Sequence, residues 1–496
     1  MRRRVLWSVA ICAVMGIFVW AIPRMPLRHV VRVETVAAQF DRKLIEVGWD
    51  APTVAYLQAN LDRLQDRPFD GMAFRFTKQV PRAFENRRWT EDDTALPLLD
   101  QLQWGRFTDN FLLMWGQSDP AVDWFDDGQW ETITANMRQV SHALHIAKAS
   151  GVMFDPEFYF TRTTHSPWVY SPELYPERSF EMVQAQVRAR GADFVTALQT
   201  EMPTLQFVSM WSVGEAYARA NERPALLPQS AYALLPAFLY GMLDAKGAEV
   251  TIIDGNETSY YVDETTDFVR KFAYERFNAA ALVPANERDR YIDEVKIASA
   301  VYTDYVLALR DWYERGWSEE RKLRWLEHNA YHALLTSEHY AWVWSENLNW
   351  WGYDQNIDSS DLAPSNVPAP VTQAFVNARQ RFMDKQALDF EMVYIGGASG
   401  NKMADTEFVT TPTVILTAVD GRSEFAQGET IRLTITVDGA EIIDRTEIYA
   451  NAIRVGSTNE TFDLQGLAAG DYILFARVFT KEGKHRTSNL ITVRIQ

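Results

Sequence analysis

The stretch that decides the fold is WETITANMRQVSHALHIAKASGVMFDPEF, Trp130 to Phe158. Its first two-thirds place apolar residues near i, i+3, i+4 and i+7, the period of an amphipathic helix, and the pattern ends at Gly151. A short apolar run then carries the chain to two carboxylates, Asp155 and Glu157. A helix feeding a strand is half of a repeating unit, and the same alternation recurs on both sides. Strand-like runs fall at residues 44–49, 69–76, 110–115, 151–158, 205–211, 249–255, 296–302 and 340–346, with further helical patterns at 53–66 and 179–203 between them. Eight such units over residues 40–394 predict an α/β fold, a (β/α)8 TIM barrel. An open doubly wound sheet would carry a Gly-rich phosphate loop after one of its strands, and none follows.

From residue 395 the pattern changes. IGGASGNKMADTEFVTTP, 395–412, has no helical period and reads as a linker. Beyond it, short alternating strands separated by Gly, Asn and Asp predict an all-β immunoglobulin-like sandwich at 408–496. At the other end, Arg2-Arg3-Arg4 precedes the uncharged run Val5 to Pro23. This is the pattern of a signal peptide or a single membrane anchor, and it predicts that the rest of the chain is extracytoplasmic, touching a membrane only through residues 1–23.

Composition narrows the function. Among 496 residues, 49 Lys and Arg stand against 66 Asp and Glu, a net charge of −17, which argues against a nucleic-acid partner. The one cysteine, Cys12, excludes an intramolecular disulfide and Cys-rich metal sites. The eight His residues show no H-E-x-x-H spacing and no Ser sits in a G-x-S-x-G turn, so neither a metal, a cofactor nor a serine nucleophile is expected. The excess is aromatic, with 17 Trp, 20 Tyr and 27 Phe serving as core bulk or as platforms for sugar rings.

In a barrel the chemistry collects at the C-terminal ends of the strands. Strand four, read as 151–158, puts Asp155 and Glu157 on one face, and their repulsion keeps one protonated, as a general acid must be. Asp254 and Glu257, followed by Tyr260, end strand six. Trp342, Trp344 and Glu346 share a face at strand eight, with Trp351 just beyond. Trp49 and Asp50, Arg75, and Trp115 and Gln117 stand at the ends of strands one, two and three. Carboxylates, amides and indoles converging on one rim suit a carbohydrate. Trp124, Trp130 and Trp168 fit either core or platform.

The pattern resembles that of the (β/α)8-barrel glycoside hydrolases, in which a strand-four Glu is the acid/base and a strand-eight Trp floors the pocket; Glu157 and Trp344 are the counterparts. The Asp-x-Glu of Asp155 and Glu157 is similar to the end of the chitinase strand-four motif, although Met153 stands where that motif has a further Asp. The resemblance implies an exported hydrolase of oligo- or polysaccharides with Glu157 as acid/base and Glu346, Glu257 or Asp254 as second carboxylate, Glu346 favoured. A non-catalytic sugar-binding barrel or a surface scaffold is the alternative. The C-terminal segment resembles bacterial immunoglobulin-like modules in Glu447–Ser457, Gly466–Tyr472 and Ala476–Val478. Tyr472 holds the place of a corner tyrosine, and the absence of Trp from 408–496 predicts a module that packs or spaces rather than grips sugar.

Overall fold

The computed structural model describes residues 41–117, 121–159, 166–310, 317–354, 365–394, 406–439, 442–458 and 460–496. The expected signal or anchor at 1–23 lies outside them. Among the described residues no helix is long and apolar enough to cross a membrane.

The main sheet contains β1 (Lys43–Gly48), β2 (Gly71–Phe74), β3 (Phe111–Trp115), β4 (Gly151–Asp155), β5 (Gln206–Ser209), β6 (Thr251–Asp254), β7 (Val295–Ile297), β8 (Ser299–Tyr302) and β9 (Tyr340–Ser345). All pair in parallel, in the order β7-β6-β5-β4-β3-β2-β1-β9-β8. The two ends of this list are one strand interrupted at Ala298: β7 pairs with β6 and β8 with β9. The eight expected strands therefore close into a (β/α)8 TIM barrel, with the seventh serving both neighbours.

Local chemistry explains where the elements start. Asp126 caps the Asp127–Ala147 helix by accepting from the Gln129 amide, and Lys148 ends it with a positive φ of 53°. Ser179 caps the Phe180–Leu198 helix in the same way. At the first residue of β4, a Cβ on Gly151 would lie 1.9 Å from the Gln206 carbonyl oxygen, so only glycine lets β4 and β5 close there. Alternate strand residues fill the barrel interior, among them Ile45, Val47, Phe111, Leu113, Met153, Val208, Ile253, Ala300, Trp342 and Trp344. The opposite set packs against the helices, where Trp124, Trp130 and Trp168 are buried with Phe84, Phe154 and Phe238 as core bulk.

After the barrel, β10 (Glu391–Tyr394) pairs antiparallel with β11 (Thr406–Val409). This hairpin joins residues read from sequence as the barrel's end to residues read as linker, of which 395–405 lie outside the described residues. Two antiparallel sheets follow. One contains Thr413–Ala418, Ile431–Asp438 and Thr461–Leu464; the other is built on Ile443–Ala450, Gly470–Thr480 and Ile491–Ile495. Together they form a β-sandwich. The Tyr472 hydroxyl donates to the Ala468 carbonyl at 3.1 Å, a tyrosine corner. Tyr472, Leu474, Ala476 and Val478 fill the sandwich core, whereas Tyr449, Ile473 and Phe475 on the other face belong to the same buried cluster as the barrel's helical layer.

Candidate active site

The strand-four reading needs one correction. β4 ends at Asp155, not at residue 158, and the Glu157 amide donates to Asp155 Oδ1 at 2.8 Å. The chain turns over the Asp155 side chain, so the two carboxyls are not stacked on a strand face; Asp155 ends the strand and Glu157 stands above it at the rim. Asp155 is 3% exposed. Its other oxygen accepts from the Tyr159 hydroxyl at 2.7 Å. Burial pushes its carboxyl up to about 7 despite both hydrogen bonds, and the Glu157 charge adds to the rise.

Glu157, half-buried, is also raised, chiefly by burial. A Tyr159 hydrogen bond and the Arg219 charge oppose the rise, and the Glu215 and Glu346 charges reinforce it. Glu257, just after β6, is pushed well above the ordinary carboxylate range by burial and then by Asp155 and Glu157, against a hydrogen bond from Trp211. Asp155, Glu157 and Glu257 thus form one mutually repelling group at the barrel mouth. Only part of such a group ionises near neutral pH.

Aromatic rings wall this group. Trp49 meets Trp344 edge to face with centroids 5.5 Å apart, Trp115 at 6.3 Å and Tyr159 at 6.5 Å. Tyr260 lies nearly parallel to Trp344 at 6.5 Å. Glu346 follows β9, where its backbone amide and that of Asn347 donate to the buried Asp304. Its carboxylate accepts from Arg310 and, at 3.3 Å, from the Trp344 indole.

The remaining candidates stand elsewhere. Trp342 faces the barrel interior as expected but one layer below Trp344, fully buried and donating to the Gly255 carbonyl at 2.8 Å. Trp351 is buried outside the barrel, its indole on Glu46 Oε2 at 2.5 Å. Asp50 is 6% exposed, accepting from the Trp350 amide. Arg75 donates to the Trp49 carbonyl and Gln117 is wholly buried, so both sit behind the mouth. Asp254 belongs to the outward-facing set, electrostatically tied to Glu275 and 2% exposed. The site residues that the sequence did not single out are Tyr159, Glu215, Arg219, Trp211 and Arg310. Of these, Glu215 and Arg219 left a signal, an i, i+4 ion pair of 2.5 Å on the Val213–Arg219 helix after β5.

No known protein family matches the chain, and none of the curated proteins matches it either. Among solved structures it aligns with an endo-β-1,4-mannanase double mutant of Cellulomonas fimi at 12% identity, over 94% of this chain and 97% of that one, with a TM-score of 0.35. A chitinase from Bacillus thuringiensis aligns at 10% identity over 92% and 85%, with a TM-score of 0.33. A fibronectin(III)-like module structure from Clostridium thermocellum aligns at 22% identity over 17% of this chain and 94% of that one, with a TM-score of 0.16. All three scores are below 0.5, and the functional reading rests on the side chains at the barrel mouth.

Proposed function

We propose that the chain is a glycoside hydrolase acting on an oligo- or polysaccharide, with Glu157 as general acid/base. The observation that supports this most is the aromatic-walled carboxylate group of Asp155, Glu157 and Glu257 at the C-terminal end of the barrel, with Glu346 beside it. Glycosidic cleavage needs a protonated carboxyl to give the leaving oxygen its proton and a second, ionised carboxylate to attack the anomeric carbon or activate water. Glu157 combines a raised carboxyl with access to solvent. Glu346, paired with Arg310, is the candidate for the second role, while Glu257, half-buried and raised well above the ordinary carboxylate range, suits a proton-holding or orienting one. Trp49, Trp115, Trp344 and Tyr260 would carry the sugar ring, and Asp155 with Tyr159 would orient Glu157. The basic head and apolar run of residues 2–23 support export.

The test is reducing-sugar release from a broad glycan panel by the purified chain and by Glu157→Gln. We expect turnover on at least one glycan and a loss of about 10²–10⁴-fold in the variant, with ligand affinity kept. A silent panel would remove the catalytic reading and leave a sugar-binding barrel, whereas full activity in the variant would remove Glu157 from the acid/base role.

A further inference from the structure

Away from the mouth, three metal-binding side chains meet in the closed layer between barrel and sandwich. His328 and His332 lie one turn apart on the Glu319–Thr336 helix, and Glu391 is the first residue of β10. Their exposures are 0%, 1% and 2%. Both Nε2 atoms point at the same oxygen, Glu391 Oε1, at 3.4 and 3.1 Å. Thr265 Oγ1 approaches that oxygen too and stands 3.3 and 3.0 Å from the two Nε2 atoms.

The proton positions set up the inference. The Asn329 amide nitrogen donates to the Val262 carbonyl at 2.6 Å, which leaves its Oδ1 facing His328 Nδ1 at 2.9 Å. An acceptor there requires the proton on Nδ1, so a neutral His328 presents the Nε2 lone pair to a carboxylate. Two lone pairs of electrons facing each other in a dry site call for a cation between them. A proton on His332 Nε2 would meet the carboxylate at 3.1 Å, an ordinary N–H···O length, but His328 Nε2, with its proton on the other nitrogen, still faces that oxygen with a lone pair at 3.4 Å. Zinc bound at about 2.0–2.1 Å in a tetrahedron sets its ligands about 3.3 Å apart, and the two imidazole-to-carboxylate separations, 3.4 and 3.1 Å, lie on either side of that value. Asn329 supplies the second-shell acceptor that metal-bound imidazoles commonly have.

We propose that His328, His332 and Glu391 form a structural zinc site that staples the C-terminal sandwich to the barrel. Two imidazoles and a carboxylate favour zinc over magnesium or calcium. The spacing His328-Asn329-Ala330-Tyr331-His332 matches the paired histidines of the zinc peptidases, but Asn329 stands where those need a Glu base, and the site is closed to solvent, so its role is structural. The sandwich takes part through Glu391 Oε2, which accepts from the Thr487 amide at 2.9 Å. Arg477 and His485 lie on the same side within electrostatic range. No metal was expected from the sequence because the reading sought H-E-x-x-H, which Asn329 breaks, and so passed over the His328–His332 pair; the carboxylate lies 63 residues beyond His328.

The test uses the untagged full chain and is independent of the proposed glycosidase activity. After exhaustive dialysis, elemental analysis should find one zinc per chain. Chelation should lower the melting midpoint, added zinc should restore it, and Co²⁺ in its place should give the strong visible d–d absorption of four-coordinate cobalt. His332→Gln should lose the ion. Metal-free protein whose midpoint does not respond to zinc, a cobalt spectrum of six-coordinate type, or a folded His332→Gln variant that keeps its zinc would each overturn the site. Should His332→Gln fail to fold, the cobalt spectrum and zinc response of the unaltered chain decide the matter.

Discussion

At the scale of single residues, the site is a set of carboxyls whose protonation is tuned by neighbours, and two of those neighbours give opposite signs. Arg219 lowers the Glu157 value through its charge. A general acid works while protonated, so rate is lost as pH rises through its folded-state value. Arg219→Met should therefore move the alkaline limb of kcat/KM to higher pH, by a few tenths of a unit because Arg219 is 51% exposed. A limb that stays put or moves to lower pH would detach Glu157 from the acid role. Behind the mouth, burial and the facing Asp50 hold the Glu46 carboxyl well above its usual range. A carboxyl raised by folding loses stability as pH climbs from its unfolded value toward its folded one, about 1.4 kcal/mol per pH unit within that window. Glu46→Gln does not titrate there, so its melting midpoint relative to the unaltered chain should rise between pH 5 and 8, and a constant offset would exclude the raised carboxyl. These assignments also mark where sequence reading stops. Asp155, Glu157, Glu257, Trp49, Trp115 and Trp344 were legible because each follows or ends a strand. Trp351 and Asp50 satisfied the same rule, but the chain after β1 and β9 folds back outside the barrel, and strand-end position alone does not say on which side a loop settles.

At the scale of elements, the barrel was legible because its period changes are strong, and its interruption was not. Ala298 reads as one residue in a continuous apolar run, yet its amide donates to the Asp254 carbonyl at 2.8 Å while its neighbours serve different strands. That break depends on a register between distant segments, which no local pattern encodes. Helix packing shows a comparable hidden constraint. The Phe180–Leu198 and Leu235–Ala245 helices approach so closely that a Cβ on Gly191 would fall 2.0 Å from the Phe238 carbonyl oxygen, and one on Gly241 would fall 1.8 Å from that of Arg188. Alanine is ordinarily the better helix former by about 1 kcal/mol, but here it meets rigid backbone. Gly191→Ala should destabilise the fold by about 1–3 kcal/mol in equilibrium denaturation, the usual range for overpacking. A neutral or stabilising outcome would mean that the two helices can part without loss.

At the scale of the whole molecule, the C-terminal module is more than an appended spacer. One face of its larger sheet closes the sandwich core, and the other presents Tyr449, Ile473 and Phe475 to the barrel, with the Tyr449 and Phe475 rings stacked at 4.9 Å and an interplanar angle of 2°. Polar contacts frame this apolar seam: Arg486 donates to the carbonyls of Leu388, Asp389 and Val409, and Arg477 donates to Thr266 Oγ1 at 2.9 Å. A sheet buried on both faces reads as a nearly continuous apolar strand, and Ile473 to Phe479 has that character apart from Arg477. The interface follows from this pattern, and together with the sequence reading of a linker, Gly and Ala being frequent at 397–406, it leads to a joint expectation. Trypsin should cut first at Lys402, but the nicked halves should elute together in gel filtration, because separation would expose the Tyr449, Ile473 and Phe475 face to water at about 25 cal/mol for each Å² uncovered. Phe475→Ala should weaken that association and let the nicked halves part at a lower urea concentration. Halves that separate in plain buffer after the cut would show that the seam does not hold the two units together.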